Sequence, residues 1–246
     1  MKRVIAGPNA VTEAIRGASG DVAAVYLADG LSGAAADALA RLCRDRDVPC
    51  STLPRDALDA LSKGLTHQGV IALAGDYPYV DLEGLLGEAG RVAEPLLVVL
   101  DQIQDPGNLG AIVRSAHALG ATGVIVTRDR SAPMTPAAVR ASAGASELIR
   151  VARVGNLAQC LDRLRDAGYR ALGAAAEGEA RVDEIDWSGP VALVLGSEGK
   201  GLRRLTRERC DSLFRIPLAT AFDSLNVSVA AAIALYEIGR RRGSRG

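Results

Sequence analysis

The chain has 246 residues, of which 48% are hydrophobic and 24% charged, and its basic and acidic residues balance to a net charge of zero at pH 7. This length and composition indicate a folded protein of one large or two modest domains. No run of 18 apolar residues predicts a membrane span, and the N-terminal residues lack the apolar segment of a signal peptide. We therefore expect a cytoplasmic protein without a membrane partner.

The cysteines and histidines do not indicate a metal site or a disulfide framework. The four cysteines are widely spaced with no CxxC pair, and His67 and His117 are the only histidines. Structural zinc needs four such ligands at close spacing. We expect no bound metal.

Charge is distributed unevenly along the chain. Residues 1–94 contain 9 basic and 13 acidic residues, whereas residues 95–246 contain 20 and 16. The positive surplus is concentrated at 203–209 and 240–245. It favours a local phosphate-binding surface, and the alternative is that these arginines only solvate helix faces and a frayed tail.

The first 75 residues have the pattern of a small α/β unit. We predict helices at 8–16, 34–46 and 55–62 and strands at 22–28 and 70–74. The stretch 76–94 is rich in Gly, Pro and acidic residues, and this composition predicts a linker.

From residue 95 onward, strands and helices alternate. We predict strands at 96–100, 123–127, 147–151, 169–175, 191–196 and 213–217, and helices at 108–119, 136–143, 157–167, 202–209 and from 227 onward. Continuous apolar strands between helices indicate a parallel sheet covered on both faces. Ligands of such sheets bind beyond the carboxyl ends of the strands, and three loops there are unusual.

The first unusual loop follows strand 96–100 and leads into a helix that Asn108 is predicted to cap. The apolar stripe of this helix comprises Leu109, Ile112, Val113 and Ala116. Arg114 lies off the stripe, and we expect Gly110, one turn earlier, to leave space for its guanidinium to reach the strand ends and a phosphate. The alternative is an ordinary solvent-exposed helix arginine.

The second loop runs from Gly196 to Gly201 and contains three glycines in six residues. It matches neither GxGxxG nor the P-loop pattern, so dinucleotide and ATP binding are weakly supported. Glu198 has no evident structural reason in this loop. The alternative is a cap or a salt bridge to Arg203 or Arg204.

The third loop precedes the last helix, whose apolar residues follow helical spacing from Val227 to Ile238. Ser224 is predicted to cap this helix, which leaves Asn226 in the first turn among unpaired backbone N–H groups. Taken alone, the polar start of the helix fits a simple cap as well as a binding site.

Together the three loops resemble the motifs of the SpoU/TrmH family of RNA ribose 2′-O-methyltransferases in the SPOUT superfamily. The resemblance covers roughly residues 96–242, through the segments NLGAIVRSAHALGA, LVLGSEGKGL and IPLATAFDSLNVSVAAAIALYE. AGPNAVTEAIRG and THQGVIAL resemble the family's substrate-binding domain, which has a ribosomal-protein-L30e-like fold. This combination is similar to the 23S rRNA guanosine 2′-O-methyltransferase subgroup.

The resemblance implies an α/β protein of two domains. It implies an L30e-like RNA substrate-binding domain at 1–75, a linker at 76–94, and a methyltransferase domain at 95–246 whose parallel sheet contains a trefoil knot. It also implies a homodimer that binds S-adenosyl-L-methionine and acts on 23S ribosomal RNA.

The resemblance further implies which residues form the site. The cofactor pocket would include Leu195, Gly196, Ile216, Leu218 and Leu225. The catalytic positions would be Asn108, Arg114, Glu198, Ser224 and Asn226. The family's arginine has been assigned as general base, but an arginine is always protonated, so we prefer Arg114 as phosphate clamp and stabiliser of the forming alkoxide. Ser224 and Asn226 would orient the ribose or the cofactor, and Glu198 would hold Arg114 or accept a proton.

Three alternatives differ in what they require of the chain. The nearest is the same chemistry on tRNA or another rRNA site, including the methyltransferases that confer thiopeptide resistance, and the motifs do not separate these. A catalytically inactive RNA-binding protein of the same fold would lack Arg114, Glu198 or Asn226, which are all present. A nucleotide-dependent oxidoreductase would carry a dinucleotide fingerprint, which is missing.

Overall fold

The computed structural model describes residues 3–17, 22–62, 64–220 and 224–243, which form two α/β units. The described part of the first unit comprises β1 (Arg3–Ala6), α1 (Pro8–Arg16), β2 (Val22–Ala28), α2 (Ala34–Asp45), β3 (Cys50–Leu53), α3 (Arg55–Ser62) and β4 (Val70–Ala74). Its sheet has the order β1-β4-β2-β3, in which β4 is antiparallel to both neighbours and β3 is parallel to β2. The predicted helices and strands of this unit are confirmed within one residue.

The second unit is built on a parallel sheet. Its described elements are α4 (Leu82–Ala89), β5 (Leu96–Asp101), α5 (Pro106–Ala118), β6 (Gly123–Thr127), α6 (Pro136–Ala141), β7 (Arg150–Val154), α7 (Leu157–Asp166), β8 (Arg170–Ala174), β9 (Ala180–Arg181), β10 (Val191–Gly196), α8 (Arg204–Arg207), β11 (Ser212–Arg215) and α9 (Val227–Gly243). The sheet order is β7-β6-β5-β10-β8-β11-β9, and each of these pairs is parallel. The predicted parallel α/β architecture is therefore confirmed.

One predicted strand is misplaced. The prediction at 147–151 begins three residues before β7, because Ala145–Glu147 forms a 3-10 turn and Glu147 is buried by pairing with Arg3. The strands β1, β3 and β9 were not predicted. Each has at most four residues, which is too short for a clear alternation of polar and apolar side chains.

Part of the segment 76–94 is ordered against the second sheet. Asp81 caps α4 by accepting a hydrogen bond from the N–H of Gly84 at 2.7 Å. Leu85 and Ala89, on one face of α4, are fully buried in the cluster beneath the sheet. Val80 forms a parallel bridge to Ala152 in β7. This stretch therefore contributes to the packing of the second unit.

A buried ion pair joins the two units. Nη1 of Arg3 in β1 donates to Oε1 of Glu147 at 2.6 Å, and their side chains are only 8% and 1% exposed. Tyr77 lies against the Arg3 guanidinium and donates its hydroxyl to the carbonyl of Ser146 at 2.6 Å. Burial raises the pKa of Tyr77 far above its ordinary value. The two units thus share a packed polar contact as well as a common apolar cluster.

Within the described ranges, no helix is long and apolar enough to cross a membrane.

Candidate active site

A cavity of about 370 Å³ opens at the carboxyl ends of β8, β10 and β11. Its apolar walls include Ala174, Leu195, Phe214, Ile216, Leu218, Leu225, Val227 and Ala230. Its polar lining includes Glu177, Ser197, Glu198, Lys200, Arg207 and Ser224. The cavity therefore has an apolar interior with polar groups from a few loops, which is typical of sites for small organic ligands.

The glycine loop after β10 folds back on itself at one side of the cavity. Ser197 and Gly201 exchange backbone hydrogen bonds of 3.1 and 2.9 Å, which places Glu198 at the turn. Gly199 and Gly201 have φ angles of +74° and +62°, where a side chain is strained. A Cβ on Gly196 would overlap the backbone of Gly201. The glycines therefore serve the loop's own conformation.

A buried carboxylate anchors the far end of this loop. Asp101 ends β5, is fully buried, and accepts hydrogen bonds from Nε of Arg203 at 2.6 Å and from the hydroxyl of Thr206 at 2.6 Å. It also accepts from the backbone N–H of Arg203 at 3.1 Å. Arg204 in turn pairs with Glu208. Neither Arg203 nor Arg204 therefore pairs with Glu198, contrary to the ordinary alternative.

Three polar side chains from the three motif loops form a row at the mouth of the cavity. Nδ2 of Asn108 donates to Oε1 of Glu198, and Nδ2 of Asn226 donates to Oδ1 of Asn108 at 3.1 Å. Oδ1 of Asn226 accepts from the N–H and the hydroxyl of Ser228 at 2.9 and 2.6 Å. The row connects Glu198 to the start of α9, and Glu198 pairs with Asn108 instead of with Arg114.

Both predicted helix caps are wrong. Asp105, not Asn108, caps α5, because its carboxylate accepts from the backbone N–H of Asn108 at 2.7 Å. The cap of α9 is Asn226, since α9 begins at Val227 and the Asn226 side chain accepts from Ser228. In each case the true cap is two or three residues away from the predicted one.

The predicted role of Gly110 is also wrong. A Cβ at this position would lie 2.6 Å from the Cβ of Ala141 and would overlap the carbonyl of Ala138. Gly110 therefore permits close packing of α5 on α6 and does not serve to open a path for Arg114. The predicted apolar stripe of α5 is confirmed as buried.

Arg114 is exposed on α5 and makes no hydrogen bond or ion pair to any residue that the structure describes. It does not line the cavity. Its guanidinium is accordingly available to an external anion.

The structure brings most of the predicted site residues together. The expected cofactor positions Leu195, Gly196, Ile216, Leu218 and Leu225 all line the cavity. Glu198 and Ser224 line it as well, and Asn108 and Asn226 are joined to it through the hydrogen-bonded row.

Other lining residues were not predicted. Ala175, Ala176 and Glu177 follow β8, and the rule that located the other loops would also have found them. Glu177 pairs with Arg207 across the cavity rim. The sequence marks Arg207 only as part of the basic stretch 203–209, and nothing in that charge pattern distinguishes a cavity residue from a solvated helix face.

His67, on the first unit, is a structural residue. It is buried, its Nε2 lies 2.8 Å from Oδ1 of Asp59, and its Nδ1 accepts from the N–H of Gly69 at 3.1 Å. Among the described residues no group of three or more His, Cys, Asp or Glu side chains could hold a metal ion.

Comparison with known proteins assigns both units. The sequence pattern of the SpoU rRNA methylase family matches residues 95–236, which contain all three motif loops. The chain belongs to this family. Residues 4–80 match the substrate-binding domain of RNA 2′-O ribose methyltransferases.

Two relatives match 98% and 89% of the chain. An uncharacterized tRNA/rRNA methyltransferase of Mycolicibacterium vanbaalenii is 43% identical over 243 residues, which are 98% of this chain and 77% of the relative. The 23S rRNA (guanosine-2′-O-)-methyltransferase RlmB of Pseudomonas putida is 41% identical over 221 residues, which are 89% of this chain and 88% of the relative.

Solved SpoU structures differ in how much of the chain they match. The methyltransferase AviRb of Streptomyces viridochromogenes, in complex with AdoMet, superposes with a TM-score of 0.83 at 29% identity over 99% of this chain and 91% of AviRb. The A. aeolicus TrmH/SpoU tRNA-modifying enzyme has a TM-score of 0.57 at 27% identity, and covers 67% of this chain and 84% of its own.

Proposed function

We propose that this protein transfers a methyl group from S-adenosyl-L-methionine to the ribose 2′-hydroxyl of a guanosine in 23S ribosomal RNA. Its membership of the SpoU family and its 41% identity to RlmB of Pseudomonas putida support this reaction. The observation that carries the proposal is the row from Glu198 through Asn108 to Asn226, because it joins the three motif loops beside a cavity of suitable size.

The cavity fits the cofactor in chemistry as well as in volume. An adenosyl group has no phosphate, so it needs apolar walls and backbone hydrogen-bonding groups, which Leu195, Ile216 and Leu218 and the flanking loops provide. The bound cofactor supplies a methyl group that its sulfonium already activates. The neighbouring side chains have to align the ribose hydroxyl and handle its proton.

We assign proton acceptance to Glu198. Its carboxylate receives a hydrogen bond from Asn108, which holds it at the cavity mouth. A carboxylate in a fixed position accepts a proton from a nearby hydroxyl more readily than bulk water does. Asn108 and Asn226 are then positioning residues for Glu198, and Ser224 orients the ribose from the opposite loop.

We assign Arg114 to the RNA phosphate next to the reacting ribose. A guanidinium stays protonated at neutral pH, so it cannot remove a proton from the hydroxyl. It suits a phosphate and also stabilises the negative charge that develops on the ribose oxygen. Its exposure and lack of a described protein partner are consistent with this role.

We further propose that residues 1–75 form the L30e-like unit that recognises RNA, and that the second unit contains the trefoil knot of the SPOUT fold. A cytoplasmic location follows from the ribosomal RNA substrate. The match of residues 4–80 to a substrate-binding domain supports the first of these assignments.

We also propose that the protein works as a homodimer through α9. Val229 and Tyr236 are 47% and 62% exposed and stand seven residues apart, so they share one face of the helix. Light scattering should show a dimer that Tyr236→Glu dissociates, whereas Leu205→Glu, at an exposed position on α8, should leave it intact. A monomeric wild-type protein would contradict the proposal.

The alternative substrate is tRNA or a different rRNA site. The A. aeolicus tRNA-modifying enzyme covers only 67% of this chain, whereas RlmB of Pseudomonas putida covers 89%. A separate substrate-binding unit therefore favours ribosomal RNA.

The decisive experiment maps ribose methylation in rRNA and tRNA from cells with and without this protein. We expect one 23S guanosine to lose its 2′-O-methyl group. In vitro, Glu198→Gln should lower the rate of methyl transfer at least tenfold, and Glu208→Gln, at an exposed glutamate that does not line the cavity, should retain it. Unchanged 23S methylation in the cells without the protein would refute the substrate, and full activity of Glu198→Gln would refute the assigned base.

A further inference from the structure

Three arginines at the carboxyl ends of β6 and β7 have no carboxylate partner among the described residues. We call Arg128, Arg130 and Arg153 the β6–β7 cation cluster. Arg128 and Arg130 are exposed, and neither side chain makes a hydrogen bond to the described residues. Arg153 donates through Nη2 to the carbonyl of Arg128 at 3.1 Å, and its guanidinium lies 5.3 Å from the centre of the Tyr79 ring. Asp129, which is also exposed, is the single carboxylate in this loop.

The loop that carries the cluster is held firmly. The buried Thr127 donates to the carbonyl of Asp129 and shares a hydrogen bond with the hydroxyl of Ser131. The backbone N–H of Arg128 donates to Val154 at 2.7 Å, and that of Ala132 donates to Ile103 at 2.8 Å. The guanidinium groups therefore extend from a fixed backbone, so binding an anion orders little besides the side chains.

The arginines that the sequence favoured for phosphate binding are used inside the protein. Arg241 pairs with Glu237, and Arg242 donates to the carbonyls of Glu94 and Gly189 at 2.6 and 2.8 Å. In the 203–209 stretch, Arg209 pairs with Asp162. Residue 245 lies outside the described residues. The predicted phosphate-binding surface at these two stretches is therefore not favoured, and the available positive charge lies elsewhere.

The position of the cluster relative to the cavity suggests its ligand. In the sheet, β7 is the edge strand beside the segment that leads out of the first unit, as the bridge from Val80 to Ala152 shows. The cavity lies at the end of β10, and β6 and β5 stand between β7 and β10 in the sheet. Since neighbouring strands are about 4.8 Å apart, the end of β6 is roughly 10 Å from the end of β10. An RNA strand that runs from the first unit to the cavity along this edge of the sheet passes over the cluster.

We propose that the β6–β7 cation cluster binds the phosphate backbone of the RNA substrate between the first unit and the catalytic cavity. This inference rests on the proposed function. Exposed guanidinium groups suit phosphate oxygens, and such contacts fix the register of a nucleic acid without reading its sequence. Arg153 also supports the loop through its hydrogen bond to the carbonyl of Arg128, and the ring of Tyr79 packs against the Arg153 guanidinium.

The test compares Arg128→Gln/Arg130→Gln with the control Arg163→Gln/Arg165→Gln, whose arginines are exposed on α7 but paired with Glu83 and Asp162. The ligand is a 23S rRNA transcript, and binding is measured at several salt concentrations. We expect the cluster variant to bind RNA about tenfold or more weakly and its salt slope to fall by roughly one to two, as for the loss of two phosphate contacts. The control should bind like the wild type, and cofactor affinity should be unchanged in both.

Two further variants test the charge dependence. Arg128→Lys/Arg130→Lys should restore most of the affinity lost in the glutamine variant, because a lysine also binds phosphate through its point charge. Asp129→Asn should tighten RNA binding by removing the opposing charge. A cluster variant with wild-type affinity and salt slope would overturn the inference while leaving the proposed function intact. A wild-type protein that neither binds nor methylates the transcript would overturn both.

Discussion

At the scale of single residues, hydrogen bonding fixes the orientation of two side-chain amides. Oδ1 of Asn226 is occupied by donors from Ser228, so its Nδ2 faces Asn108. Asn108 therefore presents its own Nδ2 to Glu198, and this matches a carboxylate, which only accepts hydrogen bonds. The orientation is transmitted from the start of α9 to the proposed base.

Replacing this amide by a carboxylate should break the row. Asn108→Asp puts a negative charge against Glu198 and removes the donor, so we expect the rate of methyl transfer to fall at least tenfold while cofactor affinity changes little. Single-turnover kinetics and cofactor titration measure the two effects separately. The matched control is Asn156→Asp at the cap of α7, where a carboxylate accepts the same two backbone N–H groups. Equal activity of the two variants would contradict the role of Asn108.

The sequence predicts the positions of these residues better than their contacts. The strand-end rule and the motif resemblance lead to Leu195, Glu198 and Asn226. They do not show which polar residue caps a helix, because Asp105 and Asn108, like Ser224 and Asn226, are all good cap formers. The choice depends on where the backbone first turns helical, and tertiary packing decides this.

At the scale of elements, the contact between α5 and α6 depends on Gly110. Because a Cβ would collide with Ala138 and Ala141, Gly110→Ala should destabilise the protein by about 1–3 kcal/mol, the usual cost of overpacking. Urea denaturation measures this. Gly87→Ala, in the open on α4, should instead stabilise by about 0.5–1 kcal/mol through helix propensity. Similar effects from both substitutions would show that the close helix contact is absent in solution.

The end of α9 gives a pH-dependent prediction. Hydrogen bonds from Arg240 and then Arg241 lower the pKa of Glu237 to about 2, below its ordinary value of 4.5. A lowered pKa stabilises the fold above pH 4.5, and this contribution is lost as the pH falls towards 2. Glu237→Gln should therefore cost about 1 kcal/mol at pH 7 and nearly nothing at pH 2, as measured by chemical denaturation. A cost independent of pH would point to packing instead of charge.

The sequence predicts long elements and misses short ones. The apolar runs of β5, β6 and β10 give unambiguous strands, since every residue of β5 and β6 is buried and so is every residue of β10 except Gly196. The segment that contains α4 has a turn-rich composition. Its helix depends on the cap at Asp81 and on burial of Leu85, and the second of these requires the sheet to be present.

At the scale of the whole molecule, the two units are held by a charge pair that is costly to break. Arg3→Met leaves Glu147 buried without its partner, and we expect a loss of about 3–5 kcal/mol in unfolding free energy. Arg3→Met/Glu147→Leu should recover most of it, because Nε of Arg3 lacks a hydrogen-bond partner and the pair is incompletely satisfied. Denaturant unfolding of both variants tests this. A double variant as unstable as the single one would show that the pair itself supplies net stability.

The bridge from Val80 to Ala152 bears on how the molecule can be divided. The segment around Val80 covers the outer backbone of β7, with the N–H of Val80 donating to Val151 and that of Arg153 donating to Val80. A fragment beginning at Leu96 would lack the segment that pairs with β7, and an uncovered edge strand favours edge-to-edge association. It would also lack α4, whose Leu85 and Ala89 are buried in the apolar cluster of the second unit. A catalytic fragment intended for separate study, or a chimera that exchanges the RNA-recognition unit, should therefore be cut before Tyr77.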